Sequence, residues 1–168
     1  NQIGTDVTSG SAVPNGGYGL FLLASDSLIG GSGAGAGNTI AWNSNSGVYV
    51  AGAASVRNAI RQNLIFNNGL WGIDIAPFGA TPNDPDDADT GTNNLQNYPA
   101  IASAVLNGGT LTIGYSVPSA EAASAYPLAV EFFLADAAGQ EGQRYLGGEA
   151  YSTPGADTVS LTVSGVSA

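Results

Sequence analysis

Four residue types are missing from this chain of 168 residues: cysteine, methionine, histidine and lysine. Without cysteine there is no disulfide and no thiolate metal ligand, so redox compartment leaves no mark on the sequence. Without histidine or cysteine the Ser-His-Asp and Cys-His nucleophilic schemes are closed. Without lysine the cations are Arg57, Arg61 and Arg144 alone, and the formal net charge is −10. Neutralising a phosphate backbone takes clustered basic side chains, so direct binding to nucleic acid is not expected. No signal-peptide pattern, lipidation motif or apolar run long enough for a bilayer occurs in these residues, so membrane insertion is not expected either.

Glycine, by contrast, is plentiful at 25 residues, and Ala, Ser, Thr and Asn supply much of the remainder. Small side chains with frequent turn formers suit repetitive β structure better than long helices. Charge is sparse and uneven: ten of the 13 acids fall in residues 84–168, which hold one arginine. The two halves differ in kind, which places a boundary near residue 80. The lack of methionine and a start inside a repeat phrase lead us to expect a piece of a longer protein.

The repeat itself is clearest from Asn38 to Ile75. An Asn-x-Ile/Leu-Ile phrase recurs at Asn38-Thr39-Ile40, Asn58-Ala59-Ile60 and Asn63-Leu64-Ile65. A Gly-apolar-x-apolar phrase recurs at Gly19-Leu20-Phe21-Leu22, Gly47-Val48-Tyr49-Val50 and Gly72-Ile73-Asp74-Ile75. Asn38 to Asn63 and Gly47 to Gly72 are both 25 residues, and Gly19 to Gly47 is 28. A fixed period of this size marks a stacked repeat, in which no single rung buries its apolar face alone. Side-chain alternation then puts Leu20, Val48 and Ile73 in one inward column and Leu22, Val50 and Ile75 in the next. Phe21, Tyr49 and Asp74 form an outward column. The recurring asparagines belong at corners, where they tolerate unusual backbone angles and bond neighbouring turns.

These phrases, GVYV, NAI and QNLIFNNGLWGIDI, resemble the right-handed parallel β-helix (pectin-lyase-like) repeats of large bacterial surface and secreted proteins. The passages Asn83–Gly91, Leu95–Pro99, Val130–Phe133 and Glu141–Gly147 resemble the end of such a helix and the β-sandwich that follows it. The resemblance implies an all-β chain: parallel β-helix rungs over 1–77, an acidic junction over 78–98 and an Ig-like β-sandwich over 99–168. It implies an extracellular or cell-surface location and no particular reaction.

From Pro99 onward the period falls to two. Five alternating runs, at 101–105, 111–117, 130–134, 145–151 and 159–163, are separated by turn clusters such as Asn107-Gly108-Gly109. An Ig-like sandwich ordinarily has about seven strands, so we expect an open edge here, covered by a partner through strand addition or closed by a variant topology.

Three features bear on chemistry. Asp84, Asp86, Asp87 and Asp89 crowd one short loop, where a hard cation with oxygen ligands, calcium first, would relieve their repulsion. The spacing fails the EF-hand template, since Ala88 stands at its fifth position from Asp84, and the competing reading is a solvated acidic loop. The glycine-rich run Gly30–Gly37 lacks the Asp of the calcium-binding nonapeptide and reads as a loop. The outward column Phe21–Tyr49–Asp74 pairs aromatics with an acid and offers a carbohydrate-binding strip, the rival reading being a polysaccharide-active enzyme on this scaffold. No catalytic residue is assigned, because elimination chemistry needs a base with cationic help. Trp42 and Trp71 are expected to pack in the core or at corners. The expected role is a structural, adhesive or recognition segment whose partners are a polysaccharide or another surface protein.

Overall fold

The computed structural model describes residues 1–166. They form an all-β chain with parallel and antiparallel sheets and no closed barrel. Two compact units are built from interleaved pieces of sequence: residues 1–81, 90–95 and 133–145 form the first, and residues 82–89, 96–132 and 146 onward the second. Residues 133–145, expected within the sandwich, thus group with the repeat.

In the first unit eight short strands follow one another: β1 (Gln2–Ile3), β2 (Leu20–Leu22), β3 (Leu28–Gly30), β4 (Thr39–Ala41), β5 (Val48–Val50), β6 (Ala59–Arg61), β7 (Leu64–Phe66) and β8 (Ile73–Ile75). None pairs with its neighbour in sequence. They form parallel ladders of order β1-β4-β7, β2-β5-β8 and β3-β6. Leu20 lies beside Val48 and Val48 beside Ile73, as the 28- and 25-residue spacings require. Ile40, Val48 and Val50 are fully buried and Ile65 nearly so, with Ile3, Leu20, Leu22 and Ile60 packed against them. Burying one such side chain stabilises the stack by about 1.5–3 kcal/mol, which three-residue strands cannot supply singly. Ile73, in the last strand of its column, remains 46% exposed.

The corners are held by asparagine. Asn1 donates from its amino nitrogen (3.2 Å) and Nδ2 (2.7 Å) to Asn38 Oδ1, and Asn38 donates in the same way to Asn63 Oδ1 (3.0 and 2.8 Å). A second column runs Asn15 to Asn43 to Asn68 with the same bonds. A third runs from the Ser27 N–H to Asn58 Oδ1, and from the Asn58 N–H to Asn93 Oδ1. The inter-turn bonding matches the sequence expectation, but of these asparagines only Asn93 (φ 49°) carries the strained backbone itself. At four other corners it falls one residue earlier, at Trp42, Arg57, Gln62 and Asn67, all with φ between 52 and 59°. Where Gly30 takes this conformation (φ 82°), an added Cβ would sit 2.0 Å from the Arg61 carbonyl oxygen, so glycine is required.

The second unit holds β9 (Ala100–Asn107), β10 (Thr110–Ser116) and β13 (Ala156–Thr162) as an antiparallel sheet of order β13-β10-β9. The β9–β10 loop is the pair Gly108 and Gly109, both at positive φ, as a two-residue hairpin demands. The strands β11 (Leu128–Ala135) and β12 (Gly142–Tyr151) pair with each other. All five expected runs are therefore strands. Ile113, Tyr115, Val117, Val130, Phe132, Tyr151 and Val159 make the core of this unit. Strand β9 ends its sheet and leaves Ile101 and Val105 exposed. No described helix is long and apolar enough to cross a membrane.

Candidate functional site

Pro85 opens a 3₁₀ turn over Pro85–Asp87 inside which Asp86 and Asp87 both take positive φ, near 62 and 61°. That tight reversal folds the acidic loop onto itself. Asp84 Oδ2 accepts the N–H groups of Ala88 (3.0 Å) and Asp89 (3.1 Å). Asp87, 5% exposed, is the anchor: Oδ1 accepts the Asn97 N–H, and Oδ2 accepts Gln96 Nε2, Ser119 Oγ and Ser124 Oγ at 2.7–3.0 Å. Carboxylate oxygens of Asp84, Asp87 and Asp89 come within 4.8 Å of one another.

Two of these oxygens differ from the rest. Asp84 Oδ1 and Asp89 Oδ1 are buried and accept no hydrogen bond. Leaving a carboxylate oxygen buried and unpaired is costly. Burial, and then the charges of Asp84 and Asp87, push the Asp89 carboxyl above its ordinary pKa. A cation seated among the three would supply the missing partner. Asp86 is exposed and outside this convergence, because the turn directs it to solvent; the expected set of four carboxylates is corrected to three.

On the sheet β2-β5-β8, Phe21, Tyr49 and Asp74 occupy one register position, as read from the sequence. Their environments diverge. Phe21 is 51% exposed, but Asp74 is 2% exposed, so it is not the accessible acid expected of a sugar-binding strip. The chain after β8 turns back over it, and the Gly79 N–H donates to both of its oxygens at 3.2 and 3.4 Å. Burial raises its pKa, with the Gly79 bond opposing. The rings beside it form a cluster that the sequence reading missed in part: Tyr18 stacks on Tyr49 at 4.8 Å, Phe21 tilts against both, and Phe78 meets Tyr49 edge-on at 6.3 Å.

A third site had no local signal. An open cavity of about 490 Å³ in the first unit is lined by Trp42, Leu70, Gln140 and the carboxyls of Asp136 and Glu141. Glu141 Oε2 accepts the Asn68 N–H (2.7 Å) and Oε1 accepts Asn68 Nδ2 (3.1 Å), so it completes the second asparagine column. Asp136 Oδ2 accepts the Asn67 N–H at 3.1 Å. Burial raises the Glu141 pKa against these donors, with the Asp136 charge adding to it. Burial would also raise Asp136, but the N–H donors of Asn67, Gln140 and Glu141 outweigh it and hold that carboxyl below its usual value. The Gln140 N–H also donates to Asp136 Oδ1, at 3.3 Å. Both carboxyls take up backbone and side-chain donors of the Asn67-Asn68 corner, as an end-cap of the asparagine column does. Trp42 sits at its corner edge-on to Phe66, as its expected packing role requires.

Comparison with protein-family models, with characterised proteins and with solved structures finds no match to this chain.

Proposed function

We propose that the chain is a structural and adhesive segment of a large bacterial surface or secreted protein, in which a calcium ion held by Asp84, Asp87 and Asp89 stabilises the acidic loop. On this reading the first unit is a right-handed parallel β-helix and the second an Ig-like sandwich. The ladders stepped at 25 and 28 residues and the five antiparallel strands after Pro99 support it. The observation that carries the calcium reading is the pair of buried oxygens, Asp84 Oδ1 and Asp89 Oδ1, that lack a hydrogen-bond donor and lie against a third carboxylate. Hard oxygen ligands of this charge suit calcium, and extracellular modules bind it at roughly 10⁻⁴–10⁻³ M.

Melting with calcium and with chelator tests this. At a hundredfold excess over Kd, calcium contributes about 2.7 kcal/mol, so the midpoint rises by roughly 5–10 °C. Asp84→Asn and Asp89→Asn abolish the rise, and Asp86→Asn leaves it intact. A midpoint indifferent to calcium, or a shift that survives in Asp89→Asn, overturns the reading.

The ring cluster of Tyr18, Phe21, Tyr49 and Phe78 supports a second reading, a carbohydrate-binding face, since Phe21 and Phe78 are 51% and 59% exposed and can stack on a sugar ring. Burial of Asp74 makes this face one for binding and not for hydrolysis. Polysaccharide retardation in affinity electrophoresis, lost in Phe21→Ala, distinguishes it.

A further inference from the structure

Three Asn-Gly steps occur in the chain, at Asn15-Gly16, Asn68-Gly69 and Asn107-Gly108. At such a step the glycine main-chain nitrogen can attack Cγ of the preceding asparagine, because glycine has no Cβ to obstruct the five-membered ring that closes. Folding decides whether these atoms are free to meet. A hydrogen bond to either of them, or a packed turn around them, has to be undone first.

The three steps differ in this respect. Asn68 is the most restrained: its Nδ2 donates to the Ile40 and Phe66 carbonyls and to Glu141 Oε1, and its Oδ1 accepts the Asn43 N–H and Nδ2. The Gly69 N–H donates to the Asn43 carbonyl at 2.8 Å, and a Cβ on Gly69 would lie 2.2 Å from the Ser44 carbonyl oxygen. Attacking nitrogen, leaving nitrogen and space are all taken there. Asn15-Gly16 is intermediate, with open space at Gly16 but Asn15 Nδ2 donating to Asn43 Oδ1 at 2.8 Å. Asn107-Gly108 lies at the tip of the β9–β10 hairpin. Asn107 is exposed, and among the described residues neither its side chain nor the Gly108 N–H has a hydrogen-bond partner. A Cβ on Gly108 would meet nothing within 4 Å. The rest of the tip is held: Asn107 pairs with Thr110, and the Gly109 carbonyl accepts the Val163 N–H at 2.8 Å.

We propose that Asn107 is a self-modification site, converted in the folded chain to aspartate and isoaspartate with water as the only co-reactant. The Gly108 nitrogen gives its proton to solvent and bonds to Asn107 Cγ. The Cγ–Nδ2 bond breaks, and Nδ2 takes a proton from water and leaves as ammonia. Water then opens the succinimide ring. Attack at Cγ leaves aspartate on the original main chain, whereas attack at the main-chain carbonyl carbon leaves isoaspartate, with the chain rerouted through the side-chain methylene. Water enters, ammonia leaves, and nothing is oxidised or reduced. Either product adds a negative charge to the tip. The isoaspartate also adds a backbone atom to a two-residue loop whose positive φ angles, 54 and 83° at Gly108 and Gly109, match the twist of its strands. The Thr110 pairing and the Val163 bond then loosen, so the hairpin carries a one-way timer, closed in new protein and opened in old.

The test ages the folded full chain in mildly alkaline buffer and follows all three steps by peptide mapping with mass spectrometry. We expect Asn107 to convert first, with isoaspartate the larger product. Asn15 converts roughly fivefold more slowly, as one net hydrogen bond implies, and Asn68 stays intact while the chain is folded. In denaturing urea the three rates converge, because the fold is what separates them. Asn107→Gln keeps an amide but cannot close the five-membered ring, so its hairpin stays unmodified. In the aged protein, separated from its parent, the amides of Thr110 and Val163 should exchange at least about tenfold faster than before, with no such change in Asn107→Gln aged alongside. The proposal is overturned if Asn107 stays intact, or if Asn15 or Asn68 converts as fast as Asn107 in the folded chain. Aged protein that keeps Thr110 and Val163 protected overturns the timer.

Discussion

Replacing Asn43 isolates what the corner asparagines contribute. Its side chain is 1% exposed; Oδ1 accepts the Asn15 N–H at 3.4 Å and Asn15 Nδ2 at 2.8 Å, and Nδ2 donates to Asn68 Oδ1 at 2.9 Å. Asn43→Ala deletes three bonds, of which one is long. At about 1 kcal/mol net each, the expected loss is about 2–3 kcal/mol. Asn43→Asp keeps the shape and both Asn15 bonds, yet turns the one donor into an acceptor facing Asn68 Oδ1. A buried charge with no cation beside it costs about 3–5 kcal/mol, so at pH 7 the Asp variant is the less stable of the two. The new carboxyl is disfavoured when charged in the fold, so its folded pKa lies above its unfolded value. Its deficit therefore grows as pH rises through the folded pKa and shrinks below the unfolded one. Urea unfolding reads this, followed by Trp42 fluorescence because that ring sits 5.4 Å from Phe66 in the same unit. An Asp variant as stable as the Ala variant at pH 7, or a gap that does not close toward pH 4, refutes the donor role of Asn43 Nδ2 toward Asn68.

Glu141→Gln bears on the other end. The Glu141 pKa is raised by burial, so its favourable share is complete below its unfolded value and is lost as pH rises through the folded one. The stability difference, wild type minus Gln variant, should then decline with pH in denaturation curves, and a flat difference sinks the idea. Gly30→Ala meets both a positive φ and the Arg61 carbonyl at 2.0 Å, while Gly35→Ala meets the φ alone; the first should cost clearly more than the roughly 1–2 kcal/mol of the left-handed conformation, with equal urea midpoints as the contrary result. Tyr115 donates to Glu149 Oε1 at 2.7 Å, and burial, with that bond, pushes its phenol up. Burial also raises Tyr49 and Tyr126, so alkaline ultraviolet titration should show a late-ionising group of tyrosines that shrinks by one in Tyr115→Phe, and the variant should lose about 1.5–3 kcal/mol.

Much of the strand content was legible because it rests on period. The pairings Leu20 to Val48 and Val48 to Ile73 follow from spacing alone, and the five later strands follow from alternation between turn formers. Features made by chain return were not legible. Asp74 reads as outward from its position in β8, and only the reversal through Phe78 and Gly79 covers it. Asp86 reads as equivalent to its neighbours until Pro85 and two successive positive φ values turn it away. Glu141 lies 73 residues from Asn68, so nothing near either residue announces their bond.

The strained residue ahead of four corner asparagines divides labour within a dipeptide. In Trp42-Asn43, Arg57-Asn58, Gln62-Asn63 and Asn67-Asn68 the second member is spoken for by the neighbouring turns, whereas the first contributes a backbone angle. An indole, a guanidinium and two amides already occupy that first place. The left-handed angle costs a non-glycine residue roughly 1–2 kcal/mol, and the columns absorb it. Each of these four corners is thus a socket that admits chemically different side chains, free to take on partners of their own, as Arg57 does with Asp26 and Trp42 with Phe66, while the second residue keeps the thread.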